Sequence, residues 1–117
     1  MQAKRDELAS LRNNLTLKTN EYGKLVLDVP PFERAYQEAM ATEVFRMRAD
    51  GVPIGVIDKT IRGKKPVSDL RFDRDLKRAM RDACKETIKA IQSSINALQT
   101  EINSEIKEHE LAGSWQV

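Results

Sequence analysis

The chain has 117 residues, of which 40% are hydrophobic and 32% are charged, and its formal net charge is +2. This length suits one small domain, and the few Gly, Pro and aromatic residues favour a helical protein over a β-sandwich or a disordered chain. No apolar run approaches the roughly 20 residues that cross a bilayer, and the opening segment MQAKRDELAS lacks the apolar core of a signal peptide. We therefore expect a cytoplasmic protein that does not contact a membrane.

The first helix is predicted over residues 2–27. Its seam positions recur at alternating steps of three and four, with Lys18 as the one polar interruption, which is typical of a coiled-coil-like seam; the apolar residues are Leu8, Leu11, Leu15, Tyr22, Leu25 and Val29. The doublet Pro30-Pro31 predicts the end of this helix, because Pro30 disfavours the α conformation in the residue before it. Pro31 suits the first turn of a second helix, predicted over 31–50.

The next segment, RADGVPIGVIDKTIRGKK, predicts a corner between two long helical runs. Gly51 suits a left-handed C-cap for the second helix. Pro53 then predicts a short helix over 53–61, and Gly63 closes it.

A long helix is predicted over 69–111, with Ser68 as its N-cap, followed by a flexible tail over 112–117 that carries Trp115. One face of this helix is apolar, and from Cys84 the steps are strictly four and three, which indicates a heptad seam. The apolar residues are Leu70, Leu76, Met80, Ala83, Cys84, Ile88, Ile91, Ile95, Leu98, Ile102 and Ile106.

These lengths predict the architecture. About 43 helical residues extend roughly 65 Å, whereas a compact domain of this size is roughly 35 Å across. The first two helices together extend roughly 68 Å. We therefore expect an all-α fold: a single domain formed by a long antiparallel helical hairpin, with a Pro-Pro-kinked first arm and a short helix at the corner.

Two helices leave apolar flanks exposed, so we expect assembly into a helical bundle, as a homodimer or a higher homo-oligomer. The predicted assembly seam consists of Leu11, Leu15, Ile88, Ile91, Ile95, Leu98 and Ile102. A stable partner protein could fill the same seam, and a purely structural oligomer is a further alternative.

The sequence offers no catalytic constellation. The only cysteine, Cys84, and the only histidine, His109, are 25 residues apart on one predicted helix, or about 37 Å. Cys84 occupies a seam position and is expected to be a small buried hydrophobe. Neither Glu-x-x-His pairs nor phosphate-binding or Cys-x-x-Cys motifs occur. We expect a protein that is not an enzyme and holds neither cofactor nor metal.

Charge is unevenly distributed. Residues 59–81 carry nine basic residues against three acidic ones, and residues 101–110 carry four acidic residues against one basic. A short helix, a turn and a helix opening with arginines resemble the outline of a DNA-reading helix-turn-helix, although Asp69, Asp73 and Asp75 would face the same phosphates. We predict contact with a partner protein or with nucleic acid through a basic corner formed by Lys59, Arg62, Lys64, Lys65 and Arg71.

Between Arg46 and Ile106, one helix ends in Arg-x-x-Gly-x-Pro, a short Ile-centred helix closes on Arg-Gly, and a long helix opens with Val-x-x-Leu-Arg and continues with Lys-Glu-x-Ile. This pattern resembles a group of small helical proteins from the early regions of tailed temperate phages of Gram-positive bacteria. The matching positions are Arg48, Gly51, Pro53, Ile57, Gly63, Val67, Leu70, Arg71, Lys85, Glu86 and Ile88. The chain departs from the pattern at Met80 and Arg81, where that group often carries an aromatic residue, and at Lys64-Lys65-Pro66, which lengthens the turn.

The resemblance implies a phage or prophage origin and a gene neighbourhood of replication and recombination. It implies no particular activity. On the basis of this resemblance, we expect an accessory protein that engages a host or phage protein of DNA replication or recombination, or inhibits host antiviral defence. A nucleic-acid-binding module is the alternative.

Overall fold

The computed structural model describes residues 1–114, and within them the chain is helical almost throughout. The elements are α1 (Gln2–Ala49), α2 (Ile54–Thr60), a 3₁₀ turn (Ile61–Gly63) and α3 (Lys65–Ser114). No strand occurs among these residues. The all-α prediction is confirmed. The predicted flexible tail over 112–117 is wrong for residues 112–114, which continue α3, and Trp115 lies outside the described residues.

The predicted break at Pro30-Pro31 is absent, because α1 runs through the doublet. Two prolines withhold two backbone donors and crowd the preceding turn, so this stretch of helix is locally unfavourable. Buried Leu25 and Val29 precede the doublet and buried Tyr36 follows it, so one buried face continues across it. Packing along that face overrides the local preference to end the helix.

The corner begins with a Schellman motif at the end of α1. Gly51 has a φ of +80°, the left-handed conformation predicted for it. The Val52 amide donates to the Met47 carbonyl and the Gly51 amide to the Arg48 carbonyl, each at 3.0 Å. Pro53, predicted to be the first residue of a short helix over 53–61, is instead the N-cap residue of α2.

The long third helix begins earlier than predicted. α3 starts at Lys65, and the amide of Ser68 donates to the carbonyl of Lys64 at 2.8 Å, so Ser68 lies in the first turn rather than at the N-cap. Pro66 fits there because the first turn needs no amide donor from it. The boundary expected at residue 69 is therefore wrong.

The chain forms two compact units, each containing segments of α1 and α3. The terminal unit comprises Met1–Tyr22 and α3 from Cys84 onward. Its core contains Leu8, Leu98 and Ile102, with Leu11, Ile95 and Ile106 packed against them. Contacts of residues 4 and 12 with residues 105 and 99 show that the two segments are antiparallel, as the predicted hairpin requires.

The corner unit comprises Gly23–Ala83. Its core joins α1, α2, the 3₁₀ turn and α3 through Tyr36, Met47, Ile57, Ile61 and Val67. Ala39, Met40, Val44, Val52 and Leu70 pack around this core. The short helix therefore closes the end of an antiparallel α1–α3 pair.

The inner face of α3 in the corner unit is partly cationic. Leu76 and Met80, predicted to be apolar core positions, are exposed. Arg74 lies over the Tyr36 ring at 4.3 Å, and Lys77 lies over the Phe32 ring at 5.3 Å, both measured to the ring centroid. Long cationic side chains can cover aromatic surface with their stems and hold their charge over a ring, so they replace leucines at this contact.

Candidate protein-binding surface

The predicted assembly seam lies in the terminal unit. Leu98 and Ile102 are buried in its core, and Leu11 and Ile95 pack against that core. The other three members are half-buried, namely Leu15, Ile88 and Ile91. The seam therefore joins α1 to α3 within one chain, and its use between chains stays a prediction.

Cys84 belongs to the same unit. It is buried, and its thiol donates to the Lys18 carbonyl at 3.5 Å. The environment predicted for it, a small side chain at a seam position, is confirmed. His109 is exposed, and among residues 1–114 no group of three or more His, Cys, Asp or Glu side chains could hold a metal ion.

The acidic end of α3 is partly neutralised by the start of α1. The Lys4 ammonium donates a hydrogen bond to Glu105 and lies 3.6 Å from a carboxylate oxygen of Glu101. The hydrogen bond to Lys4 lowers the pKa of Glu105, although partial desolvation opposes the shift. The same bond raises the pKa of Lys4. These groups stabilise the helix pair and so contribute less charge to any partner.

The predicted basic corner spans α2, the 3₁₀ turn and the start of α3. Lys59, Arg62 and Lys65 are exposed, and Lys64 is half-buried. None of these four forms an ion pair with another described residue. Arg71 differs, because its guanidinium lies 3.9 Å from Asp75 on the next turn of α3.

The next arginines along α3, Arg74 and Arg78, form contacts with other residues of the chain. Arg78 donates to Glu33 of α1 at 2.5 Å, and Arg74 lies 3.7 Å from the same carboxylate. Only 13% of the Arg74 side chain is exposed. The basic surface available to a partner is therefore smaller than the charge count of residues 59–81 indicates.

A groove on the carboxyl-terminal half of α1 was not predicted from the sequence. It is a shallow, open depression of about 450 Å³ on one face of α1, lined by Gln37, Met40, Ala41, Val44, Phe45 and Arg48; we call it the α1 groove. Met40 and Val44 pack against the core on one side of it. Phe45 is 77% exposed. A mostly apolar wall with a polar group at each end suits an apolar side chain of a partner.

Phe45 was missed because it lies between two core positions, Val44 and Met47. Adjacent residues of a helix point about 100° apart, so the Phe45 side chain cannot face the core as those of Val44 and Met47 do. The available signal for an exposed aromatic side chain was a phenylalanine at a position outside the apolar stripe of the helix.

Comparison with known protein families, curated proteins and solved structures finds no match to this chain. Within residues 1–114, no helix contains an apolar stretch of the kind that spans a lipid bilayer.

Proposed function

We propose that this protein acts by binding another protein and that the α1 groove makes the contact. The observation that carries the proposal is Phe45, a large aromatic side chain held in the open beside the partly buried Met40 and Val44. Aromatic side chains next to a preformed apolar depression are the usual anchors of protein interfaces. The helix around Phe45 is already ordered, so binding there costs little conformational entropy.

The resemblance to early proteins of temperate phages supports a particular class of target. We propose a phage or prophage accessory protein without catalytic activity, which engages a protein of DNA replication or recombination or inhibits a component of host antiviral defence. Cytoplasmic location and self-assembly through the seam belong to the same proposal.

A photo-crosslinking amino acid at position 45 tests the groove. Leu27, also on α1, provides a matched control because its exposed fraction is 76%. In bacterial cells, the probe at position 45 should yield a discrete crosslinked protein and the probe at position 27 should not. The same crosslinked set from both positions, or none from position 45, would overturn the assignment of the groove.

Nucleic-acid binding is the second candidate, favoured by the absence of internal ion pairs at Lys59, Arg62, Lys64 and Lys65 among the described residues. Phosphate contacts release counterions, so this binding should weaken steeply with added salt. Fluorescence anisotropy with labelled duplex and single-stranded DNA measures it. Equal DNA retention after Lys64→Gln, Lys65→Gln and Arg71→Gln would exclude the basic corner as the contact.

A further inference from the structure

A second apolar surface lies on α3, separate from the α1 groove. Phe72, Leu76 and Met80 are 67%, 48% and 44% exposed. Steps of four residues place them on one face over about 12 Å of helix. We call this face the α3 outer stripe. Solvent-facing hydrophobic rows of this kind on a soluble protein mark interaction sites.

Internal packing does not account for the stripe. In the corner unit α3 contacts α1 through other residues, including Arg74, Lys77 and Arg78. Val67 and Leu70 supply its apolar contribution to the core. Phe72, Leu76 and Met80 belong to neither core cluster, so the stripe is left open to a contact outside this helix pair.

The rim of the stripe is acidic. Asp69 and Asp73 precede Phe72 and Leu76 by three residues, and Asp75 follows Phe72 by three, so each carboxylate neighbours a stripe residue. Asp69 and Asp73 form no ion pair with another described residue. Asp75 accepts from Arg74 at 3.0 Å. Arg74, Lys77 and Arg78 contact α1, and Arg71 pairs with Asp75. Lys65 is exposed on the same face but lies two turns before Phe72, so Asp69 and Asp73 are the unpaired charges that lie closest to Phe72 and Leu76.

We propose that the α3 outer stripe binds a basic amphipathic helix of a partner protein, with apolar residues on one face and Lys or Arg on its flanks. The apolar residues would cover Phe72, Leu76 and Met80, and the flanking cations would pair with Asp69 and Asp73. This goes beyond the proposed function, because it assigns a second surface and the chemistry of its occupant.

Other occupants fit less well. A second copy bound through the same stripe brings two acidic rims together, which is repulsive. An anionic membrane surface repels the same carboxylates. Strand addition needs an exposed sheet edge, and the described residues contain no strand.

The test uses a displayed library of helical peptides of about 18 residues, or about five turns, selected on the full-length chain and counter-selected on Phe72→Ser. Enriched peptides should have an apolar face and net positive charge. Their affinity should fall at least about tenfold for Phe72→Ser, an anchor position. It should fall about two- to fivefold for Asp69→Asn with Asp73→Asn and stay unchanged for Phe45→Ser.

Circular dichroism of each variant controls for folding, and the aspartate pair leaves the apolar residues intact. The proposal would be overturned if the enriched peptides carried no excess of cationic residues, or if their affinity were unchanged in Phe72→Ser. Failure to enrich any peptide would also overturn it. Sedimentation equilibrium provides a further check: a dimer that Phe72→Ser converts to monomer would assign the stripe to a second copy instead.

Discussion

The guanidinium carbon of Arg74 lies 4.3 Å from the centroid of the Tyr36 ring. Tyr36 is buried in the core of the corner unit, and Arg74 is mostly covered. A cation over an aromatic ring contributes about 0.5 to 2 kcal/mol, and more of it when water is excluded. The contact therefore joins α3 to α1 where a coiled coil would ordinarily place two apolar residues.

Arg74→Ala should lower the free energy of unfolding by about 1 to 2 kcal/mol, because it removes the ring contact and uncovers the tyrosine. A double-mutant cycle with Tyr36→Leu, followed by urea denaturation, should give a coupling of about 0.5 to 1 kcal/mol. Arg34→Ala is the control, since Arg34 is exposed and pairs only within α1. An Arg74 effect no larger than that control would contradict the contact.

Replacing Pro30 and Pro31 by alanine should stabilise the protein. The change restores two amide donors inside α1, whereas a proline in a helix interior costs about 3 kcal/mol. Alanine makes the unfolded chain more flexible than proline does, and this offsets the gain in the free energy of unfolding by about 0.4 to 1 kcal/mol for each residue. Thermal and urea unfolding measure the balance, and a destabilised double variant would contradict the conclusion that the doublet is unfavourable inside α1.

Lys4 should control the titration of Glu105. The pKa of Glu105 lies below its ordinary value of 4.5, so its contribution to stability is complete above that pH and is lost as pH falls through the lowered pKa. The pKa of Lys4 is raised, so the opposite dependence holds for its ammonium group. The contribution of Lys4 to stability is complete below pH 10.5 and is lost as pH rises through the raised pKa.

In Lys4→Met the Glu105 carboxyl pKa, followed by NMR, should therefore rise towards 4.5. The variant should also lose less stability on acidification than the parent chain. Lys107→Met provides a control on α3, because Lys107 forms no ion pair with the described residues. An unchanged Glu105 pKa in Lys4→Met would contradict the pairing.

The assembly seam predicts a solution mass above that of one chain. Replacing Ile91 and Ile95 by aspartate should reduce that mass to a monomer, because half-buried apolar flanks would become charged. Ile95 also packs against the terminal core, so circular dichroism must accompany sedimentation equilibrium. Ile91→Asp alone is the milder variant. An unchanged mass in the folded variants would refute the seam as an interface between chains.

Periodicity explains which parts of the fold were predictable. The seam from Cys84 to Ile102 follows from spacing alone, and Gly51 follows from the need for a left-handed C-cap. These signals are local and do not depend on what the rest of the chain does.

The errors arose where tertiary contacts override local preference. Extending the four-three spacing backwards from Cys84 gives Arg81, Lys77, Arg74, Leu70 and Val67, which is the register that α3 adopts. Following the apolar residues instead leads to Leu76 and Met80, which face solvent. The Pro-Pro doublet misled for the same reason, because the buried face that keeps α1 continuous is formed by contacts that sequence spacing does not reveal.

Binding of a partner protein through the α1 groove requires the exposed Phe45 side chain as its anchor. An affinity pull-down from a Gram-positive bacterial lysate, treated with nuclease and read by mass spectrometry, tests it with three baits: the parent chain, Phe45→Ser and Leu27→Ser. We expect one protein in near-stoichiometric amount with the parent chain and with Leu27→Ser, and its loss with Phe45→Ser. Equal retention by all three baits, or retention that disappears with nuclease, would contradict it.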